Sequence, residues 1–287
     1  MHIQRGAWAE INLDAVAHNV QMAKANLKPT TKLCAVVKAD AYGHGAVRVA
    51  QEAARNGADF FAVALLQEGV KLREAGIETP ILVLGSMLPE VAEICVRYDI
   101  SHAVFDEERL YALNAAALKL HTKAKIHIKI DTGMHRIGVH VRDAGRFAKL
   151  AASLPGIYIE GVFSHFATAD ADDKQYAAYQ FERFQEALRL IEAEGVHIPI
   201  RHIANSAALT ELQEYQLDMV RQGITLYGLH PAHMIDCYKD FEPVMTVKTQ
   251  VAFVKTLPPG ETIGYGRTYT LTRPSVIATV PIGYPDG

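Results

Sequence analysis

Lys32-Leu33-Cys34-Ala35-Val36-Val37-Lys38 is an apolar run closed at each end by lysine. An apolar stretch of this length, rich in β-branched residues, predicts a strand buried on both faces. Gly43 and Gly45 follow in a loop. Over Gly45–Asn56, Ala46, Val47, Val49, Ala50, Ala53 and Ala54 fall on one helical stripe, which Gly57 is placed to stop. The same alternation continues along the chain. Strands are expected over 60–66, 80–84, 102–105, 125–131, 158–164, 198–204 and 223–229, and helices over 67–75, 89–98, 106–120, 142–152 and 173–194. Strand–helix alternation implies a parallel sheet. Eight strands within about 230 residues suit a closed (β/α)8 barrel of the TIM type, although a doubly wound open sheet gives the same string. A barrel puts its chemistry at the carboxyl ends of its strands.

The texture changes after about residue 240. Met245, Val247, Val251 and Phe253 alternate with polar residues, as in a half-buried antiparallel strand; Pro258-Pro259-Gly260 is a turn, and 275–282 is another strand. The expected organisation is an α/β barrel over 1–238 and the start of a mostly antiparallel β domain over 239–287. A hairpin or so is too little sheet to stand alone, so that domain is expected to be incomplete.

A net charge of −3 gives no basic footprint for nucleic acid. No apolar run reaches the roughly 18 residues of a membrane span, and no signal peptide is expected. Cys34, Cys95 and Cys237 are scattered, which suits free thiols in a reducing cytoplasm rather than a disulfide scaffold or a zinc site.

Lys38 ends its strand at what a barrel makes the catalytic face. A strand-end lysine is usually a snorkelling residue. An amine in a partly dry site, however, can lose its proton and form a Schiff base. Tyr42, in the glycine-containing loop, has a hydroxyl suited to a phosphate. His127, His135 and His140 lie close in sequence but keep no ligand spacing with carboxylates or cysteines, so surface or strand-end histidines are expected and no metal. Lys129, on a barrel strand, needs a partner or a modification if it points inward, because an unpaired buried charge costs several kcal/mol.

Several stretches resemble the alanine racemase family, in the family's order: Ala35–Gly45 as AVVKADAYGHG, Lys129–Met134 with Arg136-Ile137-Gly138, Ser164–Asp170, Ala204–Ala207, Arg221 with Gly223-Ile224, Leu226-Tyr227-Gly228, Gly264–Tyr269 and Ile282-Gly283-Tyr284. The likeness covers essentially the whole chain. It implies pyridoxal 5'-phosphate as cofactor, with Lys38 holding it as a Schiff base and serving as one catalytic base. Tyr42, Ser206 and the amides of Gly223 and Ile224 resemble its phosphate cradle. Arg221 resembles the arginine facing the pyridine nitrogen, with His165 beside the ring and His202 supporting the arginine. Arg136 resembles the residue directed at the substrate carboxylate, and Lys129 a lysine often carried as a carbamate. Tyr265 resembles the second base, given to the barrel of a partner in a head-to-tail homodimer. The implied reaction interconverts L- and D-alanine, a cytoplasmic isomerase step supplying D-alanine for peptidoglycan. Inversion needs two bases on opposite faces of the α-carbon, which Lys38 and Tyr265 would be.

Two rivals remain. One is a related barrel enzyme: a racemase of other or broader substrate range, or a decarboxylase, against which Arg221 weighs. The other is a cofactor-binding barrel without turnover, against which the β segment with Tyr265 weighs. The sequence departs from the family at His135, where glycine is usual, and at Pro285, where alanine is usual. Family members also continue for about a quarter more chain. The 287-residue chain is therefore expected to be a fragment that binds cofactor weakly, dimerises poorly and racemises slowly.

Overall fold

The run that opens the reading contains the second strand of the fold, Lys32–Val36, of which all but the first residue is buried. In a computed structural model, residues 6–231 and 238–284 are described; Cys237 and Pro285 lie outside them. The chain divides into two compact units, one of residues 13–244 and one of residues 1–12 with 245–287.

In the larger unit, β2 (Lys32–Val36), β3 (Phe60–Val63), β4 (Ile81–Val83), β5 (Ser101–Val104), β6 (Ala124–Asp131), β8 (Ile157–Phe163), β9 (Ile200–His202) and β10 (Met219–Gln222) form one parallel sheet, with β7 (Val139–His140) beside β6. Neighbours run in chain order, and β10 pairs with β2. Two backbone hydrogen bonds, Asp218 N–H to Arg201 O (3.0 Å) and Arg221 N–H to Ala204 O (3.1 Å), join the β9 and β10 segments. This is a nearly closed eight-stranded barrel.

The helices follow sequence signals. In α6 (Glu107–Lys119), Asp106 caps the amino end by accepting from the Arg109 amide, and glutamates 107 and 108 fill the first turn. In α3 (Ala46–Arg55), Ala46, Val49, Ala50 and Ala53 are buried, the stripe the spacing predicts. Inside the barrel, Cys34, Val36, Phe60, Ala62, Ile200 and Met219 form an apolar cluster. His127 and Lys129 share the opposite face of β6 from Ile126, Ile128 and Ile130, as strand alternation requires.

The eighth strand is not over 223–229. It is β10, and Ile224–Tyr227 is a 3₁₀ turn. Arg221 and Gln222 hide β10 from a hydropathy reading, while 223–229 looks apolar. Both polar residues are buried: Arg221 has its hydrogen bonds met within the fold, and Gln222 donates to the Asn19 carbonyl while its Oε1 finds no partner among the described residues.

The smaller unit is antiparallel. Here β1 (Ala7–Ile11) pairs with β11 (Met245–Thr249), β12 (Phe253–Leu257) with β15 (Ser275–Thr279), and β13 (Thr262–Ile263) with β14 (Tyr269–Thr270). The first strand thus belongs with the last part of the chain, and the boundary falls after Val244 rather than at 238. Val247, Val251 and Phe253 are exposed rather than half-buried.

Candidate active site

Lys38 follows β2 at the barrel mouth, and the chain beyond it turns the wrong way. Ala39, Asp40, Ala41 and Tyr42 have φ between 51° and 57°, one turn of left-handed helix without a glycine. Left-handed backbone costs an L-residue roughly 1–2 kcal/mol, so the turn has to be held. Glu68 accepts from the Ala39 amide (2.6 Å) and from those of Ala64 and Leu65. Asp40 accepts from the Ala46 amide (3.1 Å) and the Lys71 ammonium (3.2 Å). Gly43, at φ 84°, releases the turn. The outcome is a Tyr42 that lines the same cavity as Lys38.

That cavity, of about 580 Å³, is also lined by Lys129, Arg136, His165, Ser206, Arg221, Gly223 and Ile224. The Gly223 amide donates to Ser206 Oγ (2.8 Å), and a side chain at 223 would meet Ser206 Oγ and Tyr42 Oη at 3.5 and 3.6 Å. A tyrosine hydroxyl, a serine hydroxyl and an open stretch of backbone therefore converge on one spot, a donor set for a small oxyanion. Ser206 is placed by its helix, Ser206–Glu211, which Asn205 caps through the Ala208 amide.

The charges are mostly positive. Burial pulls the Lys38 amine below its ordinary value, the Arg136 charge pulls it further, and Glu68 opposes both. Lys129 is 3% exposed and donates to the Ile130 carbonyl (2.9 Å). Burial, then Arg221 and Arg136, bring its amine down to about 7, with Asp131 opposing. Arg221 is held from several sides: Nη1 donates to His202 Nδ1 (2.7 Å), and Nη2 to Ser164 O (2.9 Å), Ile203 O (3.0 Å) and His165 Nδ1 (3.0 Å). Its guanidinium also lies 5.4 Å from the Phe163 ring centre. Burial lowers it to about 10, which leaves it charged at neutral pH.

The profile of the alanine racemase N-terminal domain matches residues 11–231, and that of the C-terminal domain matches 244–287. The chain is 46% identical to an alanine racemase of Desulfovibrio desulfuricans, covering 99% of this chain and 76% of that protein, and 46% identical to one of Halothermothrix orenii, covering 99% and 75%. The chain belongs to the alanine racemase family. An alanine racemase of Clostridium difficile superposes with a TM-score of 0.93 at 40% identity, over 99% of this chain and 75% of that one. One from Bacillus anthracis, solved with bound L-Ala-P, gives 0.91 at 37%, over 100% and 75%.

Nine of the residues that the family resemblance singles out thus share one cavity. His202 stands behind it, against Arg221. Tyr265 belongs to the smaller unit and is 96% exposed. His135 and His140 are exposed, as expected. His127 is not a surface residue. It is fully buried, with Nδ1 2.9 Å from His202 Nε2 and Nε2 3.0 Å from Glu160 Oε2. Glu160 also accepts from Ser101 Oγ at 2.5 Å. The alternation of Lys125–Asp131 already carried the signal: in a barrel strand whose isoleucines face the helices, its polar face points inward. No group of histidine, cysteine and carboxylate side chains suited to a metal occurs among the described residues.

Proposed function

We propose that this protein interconverts L- and D-alanine with pyridoxal 5'-phosphate held by Lys38. The observation that carries this reading is the convergence on one cavity of a half-buried lysine with a lowered amine, the Tyr42–Ser206–Gly223 spot, and a buried arginine with no carboxylate against it among the described residues. These residues fit the cofactor: lysine for its aldehyde, hydroxyls and backbone for its phosphate, Arg221 for its ring nitrogen. When bound, the cofactor delocalises the charge left on the α-carbon after proton removal.

The chain's own groups do the rest. A lowered amine is neutral more of the time, so Lys38 would hold the cofactor through its aldehyde and, when free of it, would serve as the base on one face of the α-carbon. Arg221 stays charged and disfavours a proton on the nitrogen it faces. This tempers the electron sink, which suits simple return of the proton over side reactions. Arg136 would receive the substrate carboxylate. Lys129, under the charge of two arginines, is neutral about half of the time at pH 7, and the neutral amine is the form that reacts with carbon dioxide. A carbamate there would replace a third positive charge with a negative one next to Arg136. Exposed Tyr265 would serve the opposite face in the barrel of a second copy, making the enzyme a head-to-tail homodimer. The cellular role would be supply of D-alanine for peptidoglycan in the cytoplasm, where the buried free thiols Cys34 and Cys95 are at home.

The test is direct. Protein with added cofactor should absorb in the visible, and borohydride should fix the cofactor to the peptide containing Lys38. Chiral chromatography should then show alanine racemised faster than serine or other amino acids. Labelling at another lysine, or no turnover of any amino acid, would overturn the reading.

A further inference from the structure

Behind Arg221 a line of polar groups leads away from the cavity, through buried His202 and His127 and half-buried Glu160 to Ser101 at the first residue of β5. We propose that Glu160 and His127 are positioning residues for Arg221: they end a one-way hydrogen-bond chain that fixes the guanidinium on His202, and half-buried Glu160 supplies its countercharge. This rests on the reading of Arg221 as the group that faces the cofactor ring.

The direction follows from the two ends. A guanidinium only donates, an ionised carboxylate only accepts, and a neutral imidazole does one of each. His202 Nδ1 must therefore accept from Arg221, so its proton is on Nε2 and is donated to His127 Nδ1. The His127 proton is then on Nε2 and is donated to Glu160. Every bond is satisfied with both rings neutral, and reversing either ring sets donor against donor. Burial, with Arg221 and His127 adding to it, holds His202 well below the usual histidine range and so keeps it uncharged. Burial pushes the Glu160 carboxyl up, but hydrogen bonds from His127 and Ser101 more than offset it, so it stays ionised.

The backbone is shaped for this chain. The β6–β8 register shifts between Ile126 and His127: Ile126 lies opposite Ile159 and His127 opposite Gly161, so Glu160 is an extra residue in a bulge. A bulge re-aims a side chain, and here it brings Glu160 to His127. Gly161 leaves room for the ring, since a Cβ there would stand 2.4 Å from His127 Nδ1 and 2.7 Å from Ile200 O. Phe163 stacks on His202 at 4.9 Å and 7°, and fixes its plane. Among the described residues no ion pair reaches Arg221 directly. The carboxylate at the end of its hydrogen-bond line is two imidazoles away.

The experiment uses protein labelled with ¹⁵N-histidine, in long-range ¹H–¹⁵N spectra with and without cofactor. Wild type should show His127 and His202 neutral with the proton on Nε2 in both states. Glu160→Gln keeps an acceptor but removes the charge. It should retain these tautomers, shift the His202 Nδ1 resonance toward that of a weaker hydrogen bond, and lower kcat roughly ten- to a hundredfold, about what misplacement by up to 1 Å costs, with KM for alanine nearly unchanged. Glu160→Asp should recover part of both. Gly161→Ala, which displaces the ring and leaves every charge in place, should lose the His127–His202 coupling. A charged or Nδ1-protonated histidine in wild type would overturn the proposal. So would a Glu160→Gln protein with an unmoved His202 resonance, whether or not its turnover falls. The spectra without cofactor judge the chain independently of whether the protein racemises alanine.

Discussion

Replacing Lys129 by methionine tests the electrostatics of the cavity without reference to turnover. An ordinary lysine amine sits at 10.5, and in the fold Lys129 is brought to about 7. At 1.36 kcal/mol for each pH unit of difference, the charged form is disfavoured in the folded state by about 5 kcal/mol. The unfolded chain binds the extra proton between pH 7 and 10.5. Stability therefore rises with pH across that window, and the full penalty is present below pH 7. Methionine fills similar volume, carries no charge, and gives up one hydrogen bond, worth about 1 kcal/mol. The Ile130 carbonyl is not orphaned, because Ser164 Oγ still donates to it at 2.9 Å. In carbon dioxide-free buffer without cofactor, Lys129→Met should be about 4 kcal/mol more stable than wild type at pH 6. The gap should narrow by about 1.4 kcal/mol per pH unit between 7.5 and 9.5. Urea unfolding followed by far-ultraviolet circular dichroism measures it. A gap that stays flat over this range would show an ordinary amine at Lys129 and refute the reasoning. With ¹³C-bicarbonate added, wild type should show a carbamate resonance.

Substitutions at three further positions probe other parts of the molecule. Tyr265→Phe should reduce α-deuterium exchange on L-alanine much more than on D-alanine, and equal loss on both would remove Tyr265 from the two-base scheme. Arg73 donates to the carbonyls of Ile77, Thr79, Tyr98 and Asp99 at 2.6–3.1 Å; Arg73→Met should cost about 2–4 kcal/mol in thermal unfolding, and a loss under about 0.5 kcal/mol would mean that water replaces it. His135, at φ 53°, occupies backbone that favours glycine; His135→Gly should stay within about 0.5 kcal/mol of wild type while His135→Val loses about 1–2, and equal effects would show that the loop relaxes.

Three of the strands read from sequence owe their legibility to burial on both faces. Leu33–Val36, Phe60–Val63 and Ile81–Val83 are apolar throughout because helices cover one face and the barrel interior the other. The reading failed at β10 because its buried polar side chains donate to partners distant in sequence. Gln222 donates to the Asn19 carbonyl, and Arg221 to groups on two other segments. Window-based hydropathy cannot see such bonds. Nine of the site residues matched by motif line the cavity, whereas His127 and Glu160 were missed. Glu160 enters through a bulge, and a one-residue change of register breaks the two-residue period that would have announced it. The left-handed turn at 39–42 was equally hidden, since its residues include no glycine.

The pairing of β1 with β11 also bears on how the chain is made. Ala7 lies opposite Thr249, and Ile11 opposite Met245. At about 5–20 residues per second, β1 leaves the ribosome some 12–50 s before its partner exists. The whole barrel is synthesised in that interval, and it can close in the meantime because its strands pair largely with their neighbours in sequence. Throughout, Ala7–Ile11 is an unsatisfied strand edge, open to other nascent chains on the same polysome. Expression that slows elongation between residues 13 and 244 lengthens this exposure, and with it the demand on chaperones that bind extended segments.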